Sequence, residues 1–307
     1  MKMKRFLLID GNLLLHKSNS IYSRLSTNIK GERILTGIPY GFLRTLIRLN
    51  DKYKSCHTCI AFDNSVIPKK LTNNSNTKTA SDISPRRLVF PEYKQSRTEM
   101  NPDFLVGKFL LDEFLACLPI TVAYATRDYE ADDVISYITK KCIKQSPCEV
   151  VIVSDDKDFN QLICNINNAN VFIHKKGDEI LDKKAFIKKF GFSPKFFVNY
   201  LSLVGDSGDE IPGIRGLGPK RASDLIKKGF DEIETSLDAS QMGIYERNKQ
   251  LIRLSASRNV VASLQHGKLN IDALTQLFRK FHMVSFLRPT EQETIKLIRP
   301  INFIEKL

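Results

Sequence analysis

Phe6-Leu7-Leu8-Ile9-Asp10 is a short apolar run that ends on a carboxylate, and the arrangement recurs along the chain. Ile60-Ala61-Phe62-Asp63 repeats it, and Val150-Val151-Ile152-Val153 leads into Ser154-Asp155-Asp156-Lys157-Asp158. Thr121-Val122-Ala123-Tyr124-Ala125 is followed shortly by Tyr129-Glu130-Ala131-Asp132-Asp133. Runs of this length without polar interruption read as strands buried on both faces. Between them lie helical patterns, one with Phe42, Leu43, Leu46, Ile47 and Leu49. Another opens on Asn101-Pro102, a cap and first turn, and carries Leu105, Phe109, Leu110, Phe114 and Leu118. Strands are therefore predicted at 6–9, 59–62, 121–125, 150–153 and 171–174. The alternation defines an α/β fold with a parallel sheet flanked by helices.

In an open parallel sheet, ligand sites lie beyond the carboxyl ends of the strands. Asp10, Asp63, Glu130, Asp132, Asp133, Asp156 and Asp158 are thus expected on one edge, although far apart in sequence. Glu130 and Asp133, three apart at a helix start, are expected to share a face. Asp156 and Asp158, two apart in an extended turn, point the same way. Two like charges ~4 Å apart repel by ~4 kcal/mol at an effective dielectric of ~20, so this cluster calls for cations or large pKa shifts. Oxygen ligands with no Cys or His among them favour Mg²⁺ or Mn²⁺ over zinc.

Composition narrows the class. The 307 residues are 42% hydrophobic and 26% charged, which excludes disordered, collagen-like and coiled-coil chains. No apolar run reaches the ~18 residues of a membrane span. Asp10 interrupts the N-terminal apolar stretch too early for a signal peptide, so a cytoplasmic protein is expected. Lys and Arg number 47 against 34 acids, a net +13 that points to a polyanionic partner. Six cysteines are too sparse for a disulfide scaffold. Cys56-His57-Thr58-Cys59 lacks a second ligand pair at zinc spacing and reads as packing around a strand.

The stretch 64–84, rich in Asn, Ser, Thr and Lys, is predicted to be a long polar loop. From Asp182 onward the pattern becomes mostly helical, so a boundary is placed near 180. Two further acids, Asp206 and Asp209, lie in Gly205-Asp206-Ser207-Gly208-Asp209-Glu210-Ile211-Pro212-Gly213. The continuation Ile214-Arg215-Gly216-Leu217-Gly218-Pro219-Lys220-Arg221-Ala222 reads as a helix-hairpin-helix. Its glycines admit a phosphate close to the backbone, helix-start amides at 218–221 bind the anion, and Lys220 and Arg221 add charge.

Taken in order, these segments resemble the 5′–3′ exonuclease and flap endonuclease family, which includes phage 5′-nucleases and the N-terminal nuclease domain of bacterial DNA polymerase I. Leu7-Leu8-Ile9-Asp10-Gly11, Ile60–Asp63, Pro91-Glu92-Tyr93-Lys94-Gln95-Ser96-Arg97, the acids at 130–133, 156–158 and 206–209, and the hairpin carry the resemblance over nearly the whole chain. Leu277-Phe278-Arg279-Lys280-Phe281 also looks like a family segment, although the two Phe at helical spacing read as core.

The resemblance implies a PIN-like α/β core at 1–180 with an arch region at about 64–100. It also implies a helical DNA-binding domain at 181–307, with the helix-hairpin-helix at about 205–228. It implies a two-metal nuclease with two Mg²⁺ or Mn²⁺ ions. Asp10, Asp63, Glu130 and Asp132 match the first metal site, with Asp133 close by, and Asp156, Asp158, Asp206 and Asp209 match the second. Tyr93, Lys94 and Arg97 match the catalytic basic segment at the base of the arch. Lys17, which is Arg in many members, Tyr40 and Gly41 at a helix start, and Arg86 and Arg87 are expected on the DNA path. So are Gly213, Gly216, Gly218, Lys220 and Arg221, at a hairpin expected to bind K⁺ through main-chain carbonyls. Two departures stand out: Glu210 occupies a position that is usually Asn, and the 64–88 stretch is longer than expected.

The expected partner is DNA with a 5′ flap, nick or primer-bearing 5′ end, cut by a monomer. Two other readings compete. A ribonuclease acting on RNA or on RNA–DNA primers would share the acidic core, although a pure PIN domain usually lacks the hairpin. A non-catalytic DNA-binding factor would keep the hairpin and the basic surface, and the complete set of nine acids argues against it.

Overall fold

A computed structural model of the chain describes residues 3–54, 57–64, 85–95 and 101–301. In chain order the first half comprises β1 (Lys4–Asp10), α1 (Gly11–Tyr22), the hairpin β2 (Ser26–Ile29) and β3 (Glu32–Leu35), α2 (Gly37–Tyr53) and β4 (His57–Phe62). There follow α3 (Pro85–Val89), α4 (Pro102–Leu115), β5 (Thr121–Ala125), α5 (Ala131–Ile143) and β6 (Cys148–Val153). Next come β7 (Cys164–Ile166), β8 (Ala169–His174), β9 (Ile180–Leu181), α6 (Lys183–Phe190), α7 (Phe197–Val204), and the tight pair β10 (Gly205–Asp206) and β11 (Ile211–Pro212). The chain closes with α8 (Pro219–Lys228), α9 (Phe230–Ser236), α10 (Ala239–Ile252), β12 (Val261–His266), α11 (Ile271–Lys280) and α12 (Pro289–Leu297).

The main sheet runs in the order β12-β5-β4-β1-β6-β8-β7, with β9 on β8. Strands β5, β4, β1, β6 and β8 are mutually parallel, so their carboxyl ends share one edge. Each is buried on both faces. Phe6 and Leu8 pack with α5 on one side, while Leu7 and Ile9 pack with α2 and α4 on the other. All five strands expected from the apolar runs are present. Asn101 caps α4 as expected, its side chain accepting from the Asp103 N–H.

The buried core continues past the expected boundary near residue 180. Phe186, Phe197, Leu201 and Ile226, beyond that point, join the same buried cluster as Phe6 and Leu8. Further on, β12 pairs antiparallel with β5 and becomes the sheet edge. Helix α11 then returns to the opposite face, where the Phe278 ring packs, tilted, 5.5 Å from that of Phe114 of α4. The physical reason is burial: these last segments cover apolar surface of β5 and α4. Residues 65–84, the predicted loop, lie outside the described residues, as do Cys56 and Arg97. Cys59 is buried inside β4 as a free thiol. Among the described residues, no helix is long and apolar enough to cross a membrane.

Candidate active site

The carboxylates are placed by the element ends that they also cap. Asp10 closes β1 and caps α1, accepting from the Leu13 N–H at 3.0 Å. Its other oxygen accepts from Ser154 Oγ at 2.9 Å, which ties β1 to the end of β6. Asp63, just past β4, accepts from the Ala131 N–H at 2.7 Å and so fixes the start of α5. Asp156 accepts from the Asp158 N–H at 2.8 Å at the head of a short 3₁₀ segment.

Asp206 and Asp209 come from the turn between β10 and β11. Asp206 accepts from the Gly208 N–H at 2.9 Å. Gly205, at φ 77°, lies so close to Ile211 and Gly213 that no side chain fits there. Carboxylate oxygens of Asp158, Asp206 and Asp209 lie within 4.8 Å of one another.

Electrostatics joins the two groups of acids. Burial pushes the Asp10 carboxyl up to about 6, with Asp63 and Asp156 adding repulsion. Burial likewise holds Asp132 and Asp158 well above the carboxylate range, and Asp156 repels both. Asp209 is raised by burial, with Asp206, Glu130 and Asp156 contributing. Asp156 is therefore the hub through which Asp10, Asp132, Asp158 and Asp209 feel one another.

Two basic segments lean on this cluster. Lys94 is only 6% exposed, and its Nζ lies 2.7 Å from Glu130 Oε2 and 3.4 Å from Asp209 Oδ2. The Tyr93 hydroxyl sits 3.2 Å from those same two oxygens, sharing its one proton between them. Lys94 has φ 52°, a left-handed conformation that costs a non-glycine residue on the order of 1 kcal/mol. Arg87 holds that turn by donating to the carbonyls of Tyr93 and Lys94 at 3.2 and 3.1 Å.

Several expectations are corrected. Asp133 is fully buried and does not face the cluster. It accepts from Arg86 Nη2 at 2.9 Å, the Ser255 N–H at 2.7 Å and the Glu130 N–H at 3.2 Å, so its oxygens serve the start of α5. Glu130 and Asp133 do share a face, as expected, and Arg86 bridges them there at 2.9 Å to each, while Asp133 also turns back to the preceding backbone. Arg86 bridges Glu130 and Asp133 with little exposure. Arg87 is the brace just described.

Gly41 serves the packing of α1 on α2, since a Cβ there would meet the Tyr22 ring at 2.5 Å. Tyr40 is in the first turn of α2, which begins at Gly37, and its ring is wedged between Tyr22 and Phe286. Gly213 is likewise filled, with the Val204 carbonyl 2.3 Å from where its Cβ would lie. Gly218 faces open space, and Gly216 has the left-handed φ of 86° that the turn requires. Of the helix-start amides at 218–221, Pro219 has no N–H, which leaves Lys220 and Arg221 as donors within α8. Lys17 is half-buried and pairs with Asp155 at 2.7 Å.

Lys157 was missed. Its Nζ lies 2.7 Å from Asp206 Oδ1. The signal was a lone cation inside the acidic Asp155-Asp156-Lys157-Asp158 quartet. Ser154, which binds Asp10, carried no sequence signal beyond its place at a strand end.

A parallel sheet with eight convergent acids and a buried lysine at its carboxyl edge defines a class: metal-dependent phosphoryl-transfer proteins built on an α/β core. A sequence model described as the 5′-3′ exonuclease N-terminal resolvase-like domain matches residues 5–191. The 5′-3′ exonuclease of Aquifex aeolicus (strain VF5) is 30% identical over 303 residues, covering 94% of this chain and 96% of that protein. Flap endonuclease Xni of Shewanella sp. (strain W3-18-1) is 31% identical over 259 residues, covering 82% of this chain and 87% of its own. Among solved structures, the T5 D15 protein co-crystallised with metal ions superposes with a TM-score of 0.58 at 17% identity, covering 96% of this chain and 99% of that one. The chain belongs to the 5′-3′ exonuclease family.

Proposed function

We propose that this protein is a metal-dependent, structure-specific 5′ nuclease that hydrolyses DNA at 5′ flaps, nicks and duplex 5′ ends. One observation carries the reading. Eight carboxylates from five separate segments meet at one sheet edge, with Lys94 buried between the two groups. A buried Asp158 Oδ1 that has no hydrogen-bond partner fits a cation site, as does an all-oxygen donor set.

Asp10, Asp63, Glu130 and Asp132 would hold one ion, and Asp156, Asp158, Asp206 and Asp209 the other. Two Mg²⁺ or Mn²⁺ ions there supply an activated water and charge neutralisation at the departing 3′-oxygen. Lys94, fixed by Glu130 and Asp209, presents an ammonium where charge develops on the phosphate. Tyr93 and Arg86 keep Glu130 oriented, and Ser154 does the same for Asp10. The Lys220 and Arg221 amides and side chains grip the duplex backbone. A K⁺ ion bound by hairpin carbonyls has to share them, because the Gly216 carbonyl already accepts from Arg221 Nη1 at 3.1 Å. Arg97 keeps the role that the family resemblance implies.

The test is a 5′-labelled flap, a blunt duplex and a hairpin RNA, each incubated with Mg²⁺ or with EDTA. Flap cleavage abolished by EDTA is expected. Cleavage that persists in EDTA refutes the metal assignment, and preference for the RNA favours the ribonuclease reading.

A further inference from the structure

Beside Asp10 lies a cavity of about 350 Å³ between α1, α2 and the ends of β6 and β8. Asp10 and Ser154 form its inner end. Lys17, Arg48, Lys175 and Lys176 line it, against the carboxylates of Asp10 and Asp178. The apolar wall is made by Leu13, Ile21, Tyr22 and Leu49. Its charge is thus opposite to that of the acidic cluster next door. An anion repelled by the carboxylates is drawn into the space beside them.

The cavity has two unlike halves, a cationic rim and an apolar wall with a tyrosine, which suits a ligand with a dianionic phosphate and a flat base. Its size falls at the lower end of the ~300–1,000 Å³ typical of ligand cavities, which matches one nucleotide rather than several. The rim cations are held but not consumed. Arg48 reaches both oxygens of Asp178, at 2.8 and 3.1 Å, and shares that carboxylate with Lys52 and His174; the Arg48 and Asp178 side chains are about half exposed, so water screens the cluster. Lys17 is oriented in the same way by Asp155. A phosphate dianion offers Arg48 a more highly charged partner than this shared carboxylate. His174 is fixed at this end of β8 by the Tyr53 hydroxyl, 2.5 Å from its Nδ1.

We propose that this cavity binds a 5′-phosphonucleotide unit, either the terminal nucleotide of the strand being cut or the mononucleotide released from it. The ligand's identity rests on the nuclease reading above, whereas binding itself does not depend on the metal centre. The rim thereby gives the protein a way to sense a 5′-phosphate beside the acids that cut next to it.

Calorimetric titration of the full chain in EDTA tests this, with deoxyadenosine 5′-monophosphate and deoxyadenosine as the two probes. The monophosphate is expected to bind at least tenfold more tightly. Lys176→Glu and Arg48→Ala, both exposed positions, should each weaken it at least tenfold, while Lys268→Glu on a distant surface leaves it unchanged. A 5′-phosphorylated dinucleotide that binds equally well assigns the site to the strand end, and one that does not assigns it to the product. Equal binding of the nucleoside, indifference to Lys176→Glu, or binding only when Ca²⁺ is present overturns the proposal. Flap cleavage in Mg²⁺, measured alongside, reports separately on the nuclease reading.

Discussion

Asp158→Asn should stabilise the metal-free protein while removing its response to metal. Asp158 is buried, its Oδ1 has no hydrogen-bond partner, and its oxygens lie within 4.8 Å of those of Asp206 and Asp209. At a pH high enough to ionise Asp158, one like-charged pair at 4.8 Å repels by about 3.5 kcal/mol at an effective dielectric of ~20. Lys157 on Asp206 and Lys94 on Asp209 offset part of this, so a net gain of about 1–3 kcal/mol is expected on neutralisation. At ~2–4 °C per kcal/mol for a large domain, the melting temperature in EDTA should rise by about 2–10 °C. Wild-type protein in saturating Mg²⁺ should gain stability as binding to the folded state dictates, and the variant should gain much less. Differential scanning fluorimetry with and without Mg²⁺ reads both effects. A variant that melts lower than wild type in EDTA, yet keeps the full Mg²⁺ shift, would refute the picture of a repulsive, cation-seeking cluster.

Lys94→Ala should lower the single-turnover cleavage rate by about 100-fold or more, with DNA affinity in Ca²⁺ almost unchanged, as rapid-quench and anisotropy measurements would show. Gly213→Ala forces a Cβ to within 2.3 Å of the Val204 carbonyl, and a loss of about 1–3 kcal/mol in urea unfolding is expected. Burial holds Asp10 at about 6 instead of 3.8, so the folded state keeps a proton that the unfolded chain gives up. Metal-free stability should then be greatest below about pH 4 with respect to this group and fall by up to about 3 kcal/mol as pH rises through 6; a metal-free stability that rises across that window contradicts the assignment.

The five central strands were legible because strands buried on both faces leave uninterrupted apolar runs, as in Val150-Val151-Ile152-Val153. β12, Val-Ala-Ser-Leu-Gln-His, was not, since an edge strand with one solvated face carries only a diluted alternation. β7 and β9 are too short to leave any period. The acids were legible through their place after strands, a relation that topology enforces. The partners of those acids were not: Arg86 lies 44 residues from Glu130 in sequence, and nothing local to either announces the pair. Gly41 and Gly213 look alike to a sequence reader whether they make room for a phosphate or for a neighbouring carbonyl. Only the packing distinguishes the two.

The distribution of cations explains how eight acids survive together before any metal arrives. Lys94 and Arg86 stand on Glu130, Lys94 also reaches Asp209, and Lys157 stands on Asp206. These ammonium and guanidinium groups occupy the outer members of the cluster. The acids held well above the carboxylate range are Asp132 and Asp158, and both are repelled by Asp156. Asp132 has Lys94 only as a distant offset, and Asp158 keeps an oxygen without any hydrogen-bond partner. The fold thus compensates the rim and leaves its charge deficit in the middle, between the segments that follow β1, β5 and β6. A backbone phosphate and its ions are drawn to that centre because the protein's own cations stand on Glu130, Asp206 and Asp209 instead. Adding a cation at the centre, rather than deleting an acid at the rim, is therefore the change that should mimic the metal for stability and abolish it for cleavage.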